Sequence, residues 1–277
     1  MRKNSTSLKT LGPQAAKLVT TLHERSRPVF RLGDVREITG LSESSARSFV
    51  RKLVDRGVVT RLKPGLFVLV PFELGKERQY LGNPLVVARE IMNGEDYYLS
   101  HATAMEIHGM LTQPWLVVTV TTVKPRRPLA TLGVQFRFVR CRRRHLFGLT
   151  EHWVTKQEKV RVSDLERTII DGLKQPEYCG GLTEVAKGLW MRRQDVNVNR
   201  LMRYANRIGV GAVIRRLGFL LETYELADAQ ELEPLRQKLT ATYVRLDPLL
   251  PAEGKCLRRW RVQLNVDPEE LRAVVRT

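Results

Sequence analysis

Between Leu32 and Val70 the apolar positions change their period. Leu32, Val35 and Ile38 recur as they do on one face of a helix. Gly40 follows where that helix has to end, because a residue without a Cβ takes the positive φ of a sharp turn at no steric cost. Leu41 supplies the apolar anchor of the turn, and Ser42 stands as N-cap with a hydroxyl free to accept a backbone N–H. Ala46, Phe49, Val50, Leu53 and Val54 then form a stripe running to Gly57, which predicts a second helix of about four turns. Beyond it the period drops to two: Val58 to Leu62 alternates as a strand, Lys63-Pro64-Gly65 is a turn, and Leu66 to Val70 returns as a second strand. The pattern is helix, tight turn, helix and a two-stranded wing.

Either side of this stretch the same reasoning continues. Residues 1 to 10 read as a loose basic tail. Leu11, Ala15, Leu18, Val19 and Leu22 predict a helix from Leu11 to Glu24 with Pro13 in its first turn, and Val29-Phe30 adds an edge strand to the wing. Pro71 to Gly82 is a connector in which Tyr80 and Leu81 are apolar enough to pack. Asn83-Pro84 starts a helix to Met92, and Ser100 caps another that carries His101, Ala104, Met105 and His108 and stops at Gly109. Trp115 to Val123 is β-rich and Val134 to Val139 alternates. Ser163-Asp164-Leu165-Glu166 has a capping-box pattern with the serine as cap, opening a helix to Leu173. Helices are expected over 182–191, 199–207 and 211–222, a late strand over Trp260 to Val266, and a terminal helix from Asp267-Pro268. The expected class is α+β: an N-terminal winged helix-turn-helix domain over residues 1–80, then a mixed α/β C-terminal domain over 81–277 with a helical C-terminal half.

Composition bears on what such a chain binds. With 43% hydrophobic and 27% charged residues the chain is globular, but its formal charge is +18, which attracts polyanions. Residues 1–80 hold 16 basic and 7 acidic residues, a net of +9, and the remaining 197 hold 31 and 22, also +9, so the N-terminal part is more than twice as densely charged. No apolar run reaches the roughly 20 residues of a membrane span, and Met1 to Thr10 lacks the apolar core of a signal peptide, so a cytoplasmic protein is expected. Cys141, Cys179 and Cys256 are odd in number and far apart, which suggests neither a disulfide frame nor a zinc site.

The polar face of the second helix carries Ser44, Ser45, Arg47, Ser48, Arg51 and Lys52. Short hydroxyls let a helix sit deep in a major groove about 12 Å wide, an Arg can bridge two acceptors on a guanine edge, and further cations neutralise phosphates. Arg61 and Lys63 on the wing are placed for phosphate or minor-groove contact. The plainer reading is a solvated basic face, and winged helices also bind proteins. A second strip holds no acidic residue between Glu106 and Glu151 but contains Lys124, Arg126, Arg127, Arg137, Arg140, Arg142, Arg143 and Arg144. It reads either as a solvated hairpin or as a second nucleic-acid surface. His101 and His108 share a helix face, yet no carboxylate or cysteine at ligand spacing joins them, so neither metal nor cofactor is expected. Glu158, Asp164, Glu166 and Asp171 raise the alternative of a nuclease, although capping and surface pairing explain them more cheaply. With no phosphate-binding glycine loop or serine elbow, catalysis is not expected. A ligand-sensing regulator is a third class, without a ligand fingerprint.

The winged-helix segment, then YYLSHATAMEIHGM, the β-rich stretch, VRVSDLERTIIDGLKQPEYCGG and RLGFLLE, resemble in order and spacing the AbiEi-type antitoxins of abortive-infection, type IV toxin–antitoxin systems, over roughly residues 15 to 225. The resemblance implies a repressor that binds inverted repeats in the promoter of its own operon, and a C-terminal domain that counters a nucleotidyltransferase-like toxin encoded beside it. It does not imply a stable complex with that toxin. Carried over by position, it makes Ser44, Ser45, Arg47, Ser48 and Arg51 the recognition residues, with Arg61 and Lys63 on the wing.

Overall fold

The structure is a computed structural model that describes residues 11–273, and the expected basic tail lies outside them. It is a mixed α+β protein. By internal contacts the described chain divides into two units. One runs to Glu95 and takes in residues 128–136 and 152–160; the other comprises 96–127, 137–151 and the chain from 161 onward.

In the first unit α1 (Pro13–Glu24), β1 (Val29–Arg31), α2 (Leu32–Thr39), α3 (Glu43–Asp55), β2 (Val59–Lys63) and β3 (Leu66–Leu69) follow the amphipathic pattern closely. Each helix turns its apolar stripe to one core, where Leu18, Leu22, Val35, Ala46, Val50 and Leu53 are buried together. The strands form an antiparallel sheet in the order β1-β3-β2, with Phe30 opposite Phe67 and their ring centroids 5.8 Å apart. The connector lies along this unit: Tyr80 N–H donates to the buried Thr60 hydroxyl at 2.9 Å, and the Arg78 guanidinium caps the Asp55 carbonyl. Next comes α4 (Pro84–Met92), which begins as expected on Asn83, whose side chain accepts the Leu85 N–H at 2.9 Å.

The strands β4 (Tyr97–Leu99), β5 (Val117–Thr122), β6 (Leu129–Thr131), β7 (Val134–Arg140), β8 (Leu149–Trp153) and β9 (Lys159–Ser163) have the sheet order β6-β7-β5-β4-β9-β8, with α5 (His101–Ile107) inserted after β4. Antiparallel to β5, β4 is parallel to β9 at Leu99 and Val162. Of these strands only β5 and β7 are expected from the sequence pattern.

The helical half of the second unit is organised on α6 (Leu165–Lys174), which packs against α5, α7 (Leu182–Met191), α8 (Val198–Ile208) and α9 (Gly211–Thr223). Because helices surround it, α6 is buried from Glu166 to Leu173, polar residues included. One expectation is corrected here. The cap of α6 is Asp164, which accepts the Arg167 N–H at 2.7 Å, and not Ser163. Ser163 still belongs to β9, and its buried hydroxyl is engaged by Thr168 at 2.8 Å. After α10 (Glu233–Arg236), a small sheet of β10 (Val244–Arg245), β11 (Cys256–Leu257) and β12 (Val262–Gln263) precedes α11 (Pro268–Ala273). The late strand is thus far shorter than Trp260 to Val266, since Trp260 leaves the strand path to plug the core beside Gly218.

Candidate nucleic-acid interface

Two short helices meet at a tight corner because Gly40 takes φ +74° and its N–H closes on the Arg36 carbonyl at 2.9 Å. Past the corner, Ser42 caps α3 by accepting the Ser45 N–H at 3.3 Å, and its hydroxyl also contacts those of Ser44 and Ser45. With Ala46, Val50 and Leu53 buried, helical geometry turns Ser44, Ser45, Arg47, Ser48, Arg51 and Lys52 outward, and all six are exposed. The face is continuous. The Arg47 guanidinium folds back onto Glu43 one turn earlier, an exposed ion pair that a nucleic acid can replace at little cost. On the wing the Pro64-Gly65 turn has φ +78° at the glycine, and β2 alternates so that Thr60 and Leu62 are buried while Arg61 is exposed. Lys63 is half-buried beyond a register shift.

The second basic set falls in three stretches of the chain. Lys124, Arg126 and Arg127 lie in the segment after β5. Half-buried Arg137 lays its guanidinium over the Tyr178 ring, 5.2 Å from the centroid. Arg140, Arg142, Arg143 and Arg144 surround a cleft of about 770 Å³, joined there by Lys174 and His145, which sequence reasoning missed. Nothing local marks Lys174, which reaches the cleft from the far end of α6.

The four candidate nuclease carboxylates have separate partners. Glu158 pairs with Arg89 at 3.0 Å, Asp164 caps α6 and accepts from the Tyr204 hydroxyl at 2.8 Å, and Glu166 takes the Asn197 N–H and the Arg200 guanidinium. Asp171 forms a buried pair with Arg167 at 3.0 Å, and both touch the Tyr98 hydroxyl. Burial opposes the charge on Arg167, but Asp171 and Tyr98 outweigh it and hold its pKa above the usual guanidinium value. This is a structural ion pair deep in a core. His101 and His108 also diverge: Nδ1 of His101 meets the Ser100 hydroxyl at 2.9 Å, while Nε2 of His108 meets the Ser163 carbonyl at 2.7 Å. Among the described residues no group of three or more His, Cys, Asp or Glu side chains could hold a metal ion, and no helix is long and apolar enough to cross a membrane.

Residues 17–70 match the family of AbiEi antitoxin transcriptional regulators. The AbiEi match runs from within α1 to the residue after β3, and it contains every exposed residue of the α3 face and both wing cations. No protein of curated function matches the chain. Among solved structures, the RV2827C protein from Mycobacterium tuberculosis is similar, with a TM-score of 0.68 at 14% identity, covering 97% of this chain and 96% of that one. At that identity the likeness is one of fold. It extends across both units, whereas the AbiEi match spans only part of the first.

Proposed function

We propose that the chain is a DNA-binding transcriptional autorepressor and antitoxin, whose residues 11–70 act as a winged helix-turn-helix on the promoter of its own operon. The observation that carries this reading is α3: a capped helix after a glycine corner, with an uninterrupted exposed face of serines, arginines and a lysine. Ser42, Ser44, Ser45 and Ser48 allow close approach to a major groove, Arg47 and Arg51 read base edges, and Lys52, Arg61 and Lys63 take phosphates. In this reading residues 81–277 counter a nucleotidyltransferase-like toxin. The family match over residues 17–70 supports the regulatory half of it. Among the described residues the four candidate carboxylates have separate partners, which does not favour the nuclease alternative.

Fluorescence anisotropy with the native promoter and a random duplex tests the assignment. Arg47→Ala should lose about 1 to 3 kcal/mol of promoter affinity and most of the preference over random DNA, because a bidentate base contact goes with it. Undiminished discrimination in that variant would remove Arg47 from the recognition set.

A further inference from the structure

We propose that the cleft formed in the second unit by the 140–144 turn, Lys174 and the start of α9 binds a compact phosphate-bearing ligand of the nucleoside polyphosphate class. The inference does not depend on how the winged helix acts.

The cleft is concave and of about 770 Å³, within the roughly 300 to 1,000 Å³ of small-molecule sites. Five cations line it and no carboxylate does. Of the five, Arg143 is paired, with Asp96 at 3.0 Å, whereas Arg140, Arg142, Arg144 and Lys174 have no carboxylate partner among the described residues. So much like charge around one indentation is self-repulsive, and an anion in the middle relieves it. Helix termini are balanced at this wall: α8 ends on Ile208 and α9 begins after Val210, so their dipoles offset each other and the side-chain cations set the field. His145 provides an independent sign. It lines the cleft at 6% exposure with its Nε2 buried and without a hydrogen-bond partner. Burial first, then Lys174, Arg144, Arg167 and Arg142, depress the pKa of its imidazole.

The shape selects the ligand. Duplex DNA presents a convex ridge of phosphates, which cations strung along a surface engage. Here four arginines within five residues line one hollow together with Lys174, a form suited to consecutive phosphates on one small molecule. Val123, Ile208 and Val210 add apolar surface to the lining, against which a base can pack.

Isothermal titration calorimetry of the full chain at low ionic strength, with ATP, inorganic triphosphate and adenosine as probes, tests the proposal. ATP and triphosphate should bind and adenosine should not. Arg142→Glu with Arg144→Glu, both exposed, should weaken ATP about tenfold or more, while the equal charge change Lys255→Glu with Arg258→Glu, also exposed, should leave it within about twofold. If the first double variant fails to fold, Lys174→Gln probes the same cleft and should also weaken ATP. Heat absent with both polyphosphates, an equal loss in both double variants, or displacement of ATP by a random duplex in proportion to its phosphate content would each overturn the proposal. Arg47→Ala should bind ATP like the wild type, which separates this result from any failure of the promoter reading.

Discussion

Single residues of the second unit carry strong electrostatic obligations away from any surface. Arg167 and Asp171 are 1% and 3% exposed at the side chain, and the guanidinium also lies over the Phe147 ring at 4.4 Å. Two buried charges hold only as a pair, so removing one leaves the other uncompensated. Asp171→Asn should therefore cost about 3 to 5 kcal/mol, read as a lowered urea midpoint, whereas surface carboxylates such as Glu43 should cost well under 1 kcal/mol. His101 adds a pH dependence of definite sign. Complete burial drives its pKa down to about 4, with Lys174, Arg167 and Arg137 adding to the fall against the opposing pull of Asp171. The unfolded chain then binds the extra proton between about pH 6.5 and 4, so this contribution is complete above that window and is lost as pH falls through it. His101→Asn, chosen because asparagine tolerates the φ of +53° found there, should flatten the fall in unfolding free energy between pH 7 and 4.5 by on the order of 3 kcal/mol. An unchanged slope in that variant would assign the acid sensitivity to other groups. Asp171 and His101 illustrate what residue types do not reveal: each was a candidate for chemistry in the sequence, and burial made each a structural group.

At the scale of elements, the helices were legible wherever one face meets solvent. α3 is the clearest case, because the stripe that buries it also dictates which residues it displays. α6 illustrates the limit: surrounded by helices, it has Arg167 and Asp171 inside, so its polar residues no longer mark an outer face. Strand β4 is set by partners distant in sequence, β5 and β9, which a local window does not contain. Packing between α9 and the residues around Trp260 belongs to this class as well. A Cβ on Gly218 would stand 2.1 Å from the Trp260 ring, and neither moves freely in the core. Gly218→Ala should cost about 1 to 3 kcal/mol in a urea unfolding curve, and a second substitution, Trp260→Leu, should recover part of it by making room.

For the whole molecule the charge of +18 favours encounter with polyanions, and the proposed promoter binding inherits that dependence. The logarithm of promoter affinity should fall linearly with the logarithm of salt, with a slope of about −0.9 per phosphate neutralised, and a salt-insensitive affinity would contradict the phosphate contacts assigned to Lys52, Arg61 and Lys63. By itself the sequence determined the N-terminal helices and hairpin, the exposed α3 face and the excess of positive charge, because periodicity, capping residues and turn glycines act over a few neighbouring positions. Tertiary structure alone decided that four of the eight arginines and lysines of the acid-free strip meet Lys174 around a cleft, that the four carboxylates go to separate partners, and that His101 is held neutral in a core. Each of those outcomes depends on residues tens of positions apart coming within a few ångströms, where burial and neighbouring charge, rather than residue type, decide what a side chain does.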